Sequence, residues 1–260
     1  AMLAEAWGGP GATAEYFGDG ADEFHLSFSQ NLAFAMQATF LFDNPATLAQ
    51  AYEEAEAPLP EGGRWGLFLS NHDQPRIMAS AGNSPDRAAM AAVLLLTLPG
   101  TPFIYYGDEV GVTNGTDIVV DMRDRSRTPM PWSDGPGVGF TDGTPWLAPA
   151  PGWETANVAI QEEDPASLLS LYRGLIKLRR EVGVFGTGDF VPLDAPELSG
   201  RGTVAHGKTQ AAQATSVRHL VGRRTRGSNR AGATAWAAPD RGPGSVGGRL
   251  GGASGLLFGG

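Results

Sequence analysis

The chain has 260 residues, a length that one ordinary domain could absorb or two small ones could share, and it lacks cysteine. Disulfide frameworks, thiolate metal sites and cysteine nucleophiles are therefore excluded. The balance of 19 basic against 28 acidic residues, net -9, argues against a general nucleic-acid binder, and 42% hydrophobic with 18% charged residues describes a globular chain. That average conceals a break. Residues 201–260 hold 14 of the 37 glycines, eight arginines, one lysine and a single acid, Asp240, so they carry +8 while the first 200 residues carry -17.

In chain order, Met2-Leu3-Ala4 reads as a strand stub, preceded by nothing that resembles a basic leader. Glu23–Phe28, Gly66–Ser70 and Thr101–Tyr106 read as further buried strands. Three helices are announced by a capping residue followed by proline: Asn44-Pro45, Ser84-Pro85 and Asp164-Pro165. The third carries an apolar stripe of Leu168, Leu171, Tyr172, Leu175, Ile176 and Leu178. The uncharged run Ala88–Tyr106 contains Pro99, Gly100 and Pro102, so it predicts a buried helix, a turn and a strand rather than a membrane span. Apolar strands alternating with amphipathic helices indicate an α/β fold with a parallel sheet, either doubly wound or a (β/α)8 barrel. The run from Gly111 to Glu163 shows no regular period. Its length implies a functional loop or small subdomain, and Trp132, Trp146 and Trp153 are expected to bury.

Polar residues follow each strand: Glu5-Ala6-Trp7 after the first, Asn71-His72-Asp73-Gln74-Pro75-Arg76 after the third, and Gly107-Asp108-Glu109 after the fourth. Ligands of parallel α/β proteins bind at the carboxyl ends of the strands, so these acids could converge on one pocket. Paired carboxylates are what glycoside hydrolysis requires, one to protonate the leaving oxygen and another to attack or stabilise the cationic sugar.

Asn71–Arg76, then Pro99-Gly100-Thr101-Pro102-Phe103-Ile104-Tyr105-Tyr106-Gly107-Asp108-Glu109, resembles the α-amylase family of glycoside hydrolases, family 13. Ser126-Arg127-Thr128-Pro129-Met130-Pro131-Trp132 resembles the α-glucosidase and oligo-1,6-glucosidase branch, where a similar run ends in Gln-Trp rather than Pro131-Trp132. The resemblance covers roughly residues 1–195 and implies the second half of a (β/α)8 barrel, about strands five to eight, within residues 1–185. Residues 186–200 would begin a truncated C-terminal β domain, and 201–260 would be a Gly/Arg-rich, disordered tail unrelated to the family. A change of reading frame near Ser199–Thr203 would explain such a tail.

The same resemblance implies roles. Glu5 matches the general acid/base, Asp73 the carboxylate that stabilises the transition state, His72 an imidazole that hydrogen-bonds sugar hydroxyls, and Arg76 an arginine that helps fix the terminal glucose. Gly107-Asp108-Glu109 matches a motif that shapes the pocket floor. Arg123, Asp124, Arg125 and Arg127 read first as a charge network bracing the long loop and second as sugar contacts. Family members carry an aspartate nucleophile in a Gly-Phe-Arg-x-Asp pattern that should precede Glu5, and no such pattern occurs here. The expected function is a fragment of a retaining α-glucosidase acting on short oligosaccharides, cytoplasmic, with no metal or cofactor and no nucleic-acid or membrane partner. The alternatives are a related trehalose synthase or α-amylase and a non-catalytic barrel of the same family.

Overall fold

The computed structural model describes residues 1–42, 44, 46–192, 203–210, 213–220 and 254–258. Four parallel strands form the first sheet in the order β1 (Leu3–Ala4), β2 (Leu26–Phe28), β3 (Arg64–Leu67) and β4 (Thr101–Pro102). Leu3 lies opposite Leu26, Ser27 opposite Trp65, and Gly66 opposite Thr101. Sequential parallel pairing with helices between the strands makes this one continuous run of βα units, half of a (β/α)8 barrel.

The helices are α1 (Pro10–Ala14), α2 (Gln30–Leu41), α3 (Ala46–Glu56), α4 (Ile77–Ser80), α5 (Pro85–Thr97), α6 (Val158–Glu162), α7 (Leu168–Glu181) and α8 (Val184–Thr187). Helix α5 starts as expected, with Ser84 Oγ accepting the Arg87 amide and Pro85 in the first turn. It ends at Leu98-Pro99-Gly100, and the chain returns as β4, so the uncharged run is a helix, turn and strand. Among the described residues no helix is long and apolar enough to cross a membrane.

Helix α7 begins later than expected. Its cap is Ser167, whose Oγ accepts the Ser170 amide, whereas the Asp164 carboxylate accepts the Ala166 amide in a preceding turn. Asp-Pro is a turn signal as well as a helix start, and here the turn takes it. Helix α2, not foreseen, is apolar on nearly every side and lacks the stripe that would mark it. Ser29 caps it through the Leu32 amide.

The main core lies between the sheet and its helices. Trp65, Leu67 and Leu69 project from one side of the third strand and its extension against Leu32 and Met36 of α2, Leu94 and Leu95 of α5, and Tyr172 and Leu175 of α7. Two polar atoms within this core are satisfied, since Trp65 Nε1 donates to the Ala55 carbonyl at 2.9 Å and the Tyr52 hydroxyl to the Pro99 carbonyl at 2.9 Å, whereas the Tyr172 hydroxyl is buried without a hydrogen-bond partner among the described residues. The other side of the sheet carries Phe28, Phe68 and Phe103, packed edge to face with centroids 5.3 and 4.8 Å apart. Gly66 sits under that layer because a Cβ there would come within 2.9 Å of the Phe28 ring.

The connection after β4 has a smaller core of Val110, Val112, Met130, Ala150 and Leu169. Its tryptophans do not bury as expected: Trp132 is 52% and Trp146 60% exposed, and Trp153 is half-buried. The segment is held by hydrogen bonds instead. Asn157 Nδ2 donates to the Trp153 carbonyl, and the Asp124 carboxylate accepts the amides of Val119, Val120 and Asp121.

Beyond the barrel units, β5 (Asp189–Pro192), β6 (Thr203–Gln210), β7 (Gln213–Leu220) and β8 (Ser254–Phe258) form a second sheet in that order. Strands β6 and β7 pair antiparallel from Thr203↔Leu220 to Gln210↔Gln213. Both are rich in Thr and Val but mostly polar, so β propensity is present without the apolar alternation that would announce it. The Arg223–Gly227 and Gly247–Gly252 runs lie outside the described residues.

Candidate active site

Glu5 follows β1 in extended chain. Alternation buries Ala4 and Ala6 and turns Glu5 and Trp7 outward, the latter 60% exposed. The Asn71–Arg76 turn follows the third strand. Asn71 Oδ1 accepts the Asp73 amide at 2.9 Å, and Gln74 Nε2 donates to Gln30 Oε1 at the start of α2 at 3.1 Å. These bonds set the shape of the turn, and the parallel pairing of β1 and β3 with β2 between them places its end beside that of β1. One oxygen of Glu5, one ring nitrogen of His72 and one oxygen of Asp73 all lie within 4.8 Å of one another. The His72 Nε2 to Asp73 Oδ1 distance is 3.5 Å.

One imidazole and two carboxylates at such separations are also a possible metal-ligand set. Asp73, however, is already matched by cations from the protein. Arg123 Nη1 and Arg127 Nη2 each stand 3.1 Å from Asp73 Oδ1, so the oxygen that faces His72 already carries two guanidinium partners in the place a metal ion would take. The arginines come from a 3-10 turn, Met122–Ser126, and the residue after it. Arg127 Nε also donates to the His72 carbonyl at 2.9 Å, and Ser126 Oγ to the same carbonyl at 3.3 Å. Arg123 in turn holds the Asp121 carboxylate, whose pKa it pushes down to about 2. The arginines thus brace the loop, as their clustering suggests, and do so on Asp73 itself. Arginines four apart in a charged loop were the available signal; their partner, some fifty residues earlier, was not legible.

Arg76 is placed differently from the expected sugar contact. It is fully buried. Its Nη1 donates to the Tyr106 carbonyl at 2.6 Å, and its guanidinium lies over the rings of Tyr105 and Tyr106, 4.9 and 4.6 Å from their centroids. It sits below the opening, not in it. Asp108, also buried, accepts from Ser70 Oγ at 2.5 Å and lies 4.0 Å from Arg76 Nη1. Burial raises the Asp108 carboxyl to about 7, against the opposing pull of Ser70 and Arg76, and the neighbouring Glu109 carboxylate adds to the rise. Glu109 is itself raised, again by burial first.

On the far side of Arg127 a cleft of about 490 Å³ runs between Tyr106, Glu109, Met130, Trp132, Phe140 and Trp146. It opens beside β4, at the edge of the four-stranded sheet.

The geometry has its counterpart in known proteins. The model of the α-amylase catalytic domain matches residues 1–188. The chain belongs to the α-amylase family. It is 31% identical to the trehalose synthase/amylase of Mycobacterium tuberculosis over 237 residues, covering 74% of this chain and 38% of that protein. It is 35% identical to the oligo-1,6-glucosidase of Parageobacillus thermoglucosidasius over 177 residues, covering 53% of this chain and 32% of that enzyme. Among solved structures, the α-amylase from H. orenii superposes with a TM-score of 0.68 at 29% identity, over 84% of this chain and 43% of its own. The trehalulose synthase MutB superposes with a TM-score of 0.70 at 26% identity, over 82% and 46%. This α-amylase-family chain thus spans less than half the length of each of these relatives.

Proposed function

We propose that this chain supplies the second half of the catalytic barrel of a retaining α-glucosidase that acts on α-glucosidic bonds in short oligosaccharides, in the cytoplasm. The observation that carries the reading is the meeting of Glu5, His72 and Asp73 within 4.8 Å from two separate strand ends. In the retaining scheme Glu5 gives its proton to the glycosidic oxygen as the bond to the anomeric carbon breaks. The negative charge of Asp73 faces the positive charge that develops on the sugar, and His72 donates to a sugar hydroxyl. Arg123 and Arg127 hold the Asp73 carboxylate in place through their contacts with Oδ1. Arg76 contributes from beneath, by fixing the end of the turn.

The covalent step needs a further aspartate, which we assign to a Gly-Phe-Arg-x-Asp segment encoded upstream. Residues 1–185 form the barrel part, residues 186–200 begin a β domain, and residues 201–260 arise from a shifted reading frame. A second reading, trehalose synthase, is favoured by the longer span of similarity to that relative, 74% of this chain against 53% for the oligo-1,6-glucosidase. A non-catalytic barrel is disfavoured because Glu5, His72 and Asp73 are all present and together.

The test is hydrolysis of an activated aryl α-glucoside and of maltose. The 260-residue chain alone is expected to be inactive, and addition of a barrel half carrying the nucleophile segment to restore hydrolysis. Trehalose as the main product from maltose would favour the second reading. Turnover by the isolated chain would overturn the assignment of a missing nucleophile.

A further inference from the structure

The Asn71–Pro75 turn carries His72 and Asp73, yet most of its own contacts are with exposed or half-exposed side chains. Its two flanks are different. Ser70, immediately before it, is 1% exposed and donates its hydroxyl to Asp108 Oδ2 at 2.5 Å. Arg76, immediately after it, is fully buried and brings Nη1 to 4.0 Å from Asp108 Oδ1. The two oxygens of one carboxyl group, 2% exposed, thus face the residues on either side of the turn. Asp108 is itself set in place by backbone bonds at the end of β4: its amide donates to the Tyr105 carbonyl at 3.0 Å, and its carbonyl accepts the Gly111 amide at 3.1 Å. Gly107, with φ 87°, makes the left-handed turn that lets the chain double back there, and a Cβ would come within 3.0 Å of Arg76 Nη1.

We propose that Asp108 is a positioning residue: from the fourth strand end it clamps Ser70 and Arg76, and so fixes the turn that presents His72 and Asp73 to the sugar. The inference rests on the glycosidase reading for what is positioned, but the clamp is a property of the fold. A five-residue turn tied to a third element by a hydrogen bond at one flank and an ion pair at the other loses the freedom that would otherwise blur the separation of Glu5 and Asp73. An ångström of such blur is costly in a site whose groups must meet the reacting atoms. Arg76 has two further anchors, its amide on Asn114 Oδ1 at 2.8 Å and Nη1 on the Tyr106 carbonyl, so the Ser70 flank depends more on Asp108 than the Arg76 flank does.

Amide hydrogen exchange on the 260-residue chain tests this without requiring activity. In Asp108→Ala, the amides of Asp73 and Gln74 should exchange roughly 10- to 100-fold faster, while amides in the middle of α5 change less than about 3-fold. Asp108→Asn retains an acceptor for Ser70 and should recover most of the protection. The His72 ring-proton resonances should shift in Asp108→Ala and return towards their original positions in Asp108→Asn. Should Asp108→Ala fail to fold, Ser70→Ala removes the more dependent flank alone and should show the same pattern at about 10-fold. Unchanged exchange in the turn, or acceleration that runs in parallel through the turn and α5, would overturn the proposal. Failure of the glycosidase reading would appear separately, as absence of hydrolysis in the completed enzyme with the exchange result intact.

Discussion

Replacing Asp108 by Asn should change how the stability of this protein depends on pH. The carboxyl is buried against Ser70, Arg76 and Glu109, with the Tyr105 and Tyr172 phenols close enough to act on it or feel its charge. Its pKa rises from the ordinary 3.8 to about 7, with burial the largest cause. A raised carboxyl pKa means the folded state binds the proton more tightly than the unfolded state between those values. Stability therefore falls as pH rises through that window. Integrated from pH 5 to pH 8, the shift corresponds to a loss of about 3 kcal/mol from this one group. Asparagine cannot ionise and should escape that loss. Urea unfolding of wild type and Asp108→Asn at both pH values should show the difference in their stabilities moving by about 3 kcal/mol in favour of the variant at pH 8. An unchanged difference would mean that Asp108 is already ionised at pH 5, with the Arg76 guanidinium outweighing burial, and the reasoning would be refuted.

Arg179 on α7 donates to the carbonyls of Leu96, Leu98 and Gly100 at 3.0, 3.0 and 2.5 Å, where α5 ends and β4 begins. Arg179→Met should keep the stem packing and lose these bonds, destabilising by about 2–4 kcal/mol in chemical denaturation; a change below about 1 kcal/mol would show that water replaces them. Asp124→Ala should release the Val119, Val120 and Asp121 amides and accelerate their exchange by at least roughly 10-fold, with α5 amides unaffected. Uniform protection across the loop in that variant would mean the small core around Val110 and Met130, not the carboxylate, holds it.

Some of this was legible in the sequence and some was not. The strand ends were legible because short apolar runs give way abruptly to Glu5, to Asn71-His72-Asp73 and to Asp108-Glu109, and a parallel fold delivers such ends to one face. The cap of α5 was legible because Ser84-Pro85 has one strong local meaning. Asp164-Pro165 has two, and the fold uses the other. Helix α2 has no polar face to set its phase, and β6 and β7 have little apolar alternation, so neither leaves a period. The burial of Arg76 depends on Tyr105, Tyr106 and Asp108, some thirty residues away, and no local pattern distinguishes an arginine under a pocket from one that lines it. The same holds for Arg123 and Arg127, whose clustering showed a network but not that Asp73 is its centre.

The assignment of Glu5 as the proton donor is the claim on which the functional account turns, and one comparison tests it. In the enzyme completed with the nucleophile-bearing half, Glu5→Gln should lower maltose hydrolysis by several orders of magnitude, because glucose is a poor leaving group without protonation. For an aryl α-glucoside whose phenol leaves with little protonation, the glycosylation step should be largely spared, giving a burst of released phenol followed by slow deglycosylation. Equal losses on the two substrates, with no burst, would contradict the role of Glu5 and with it the reading of the site.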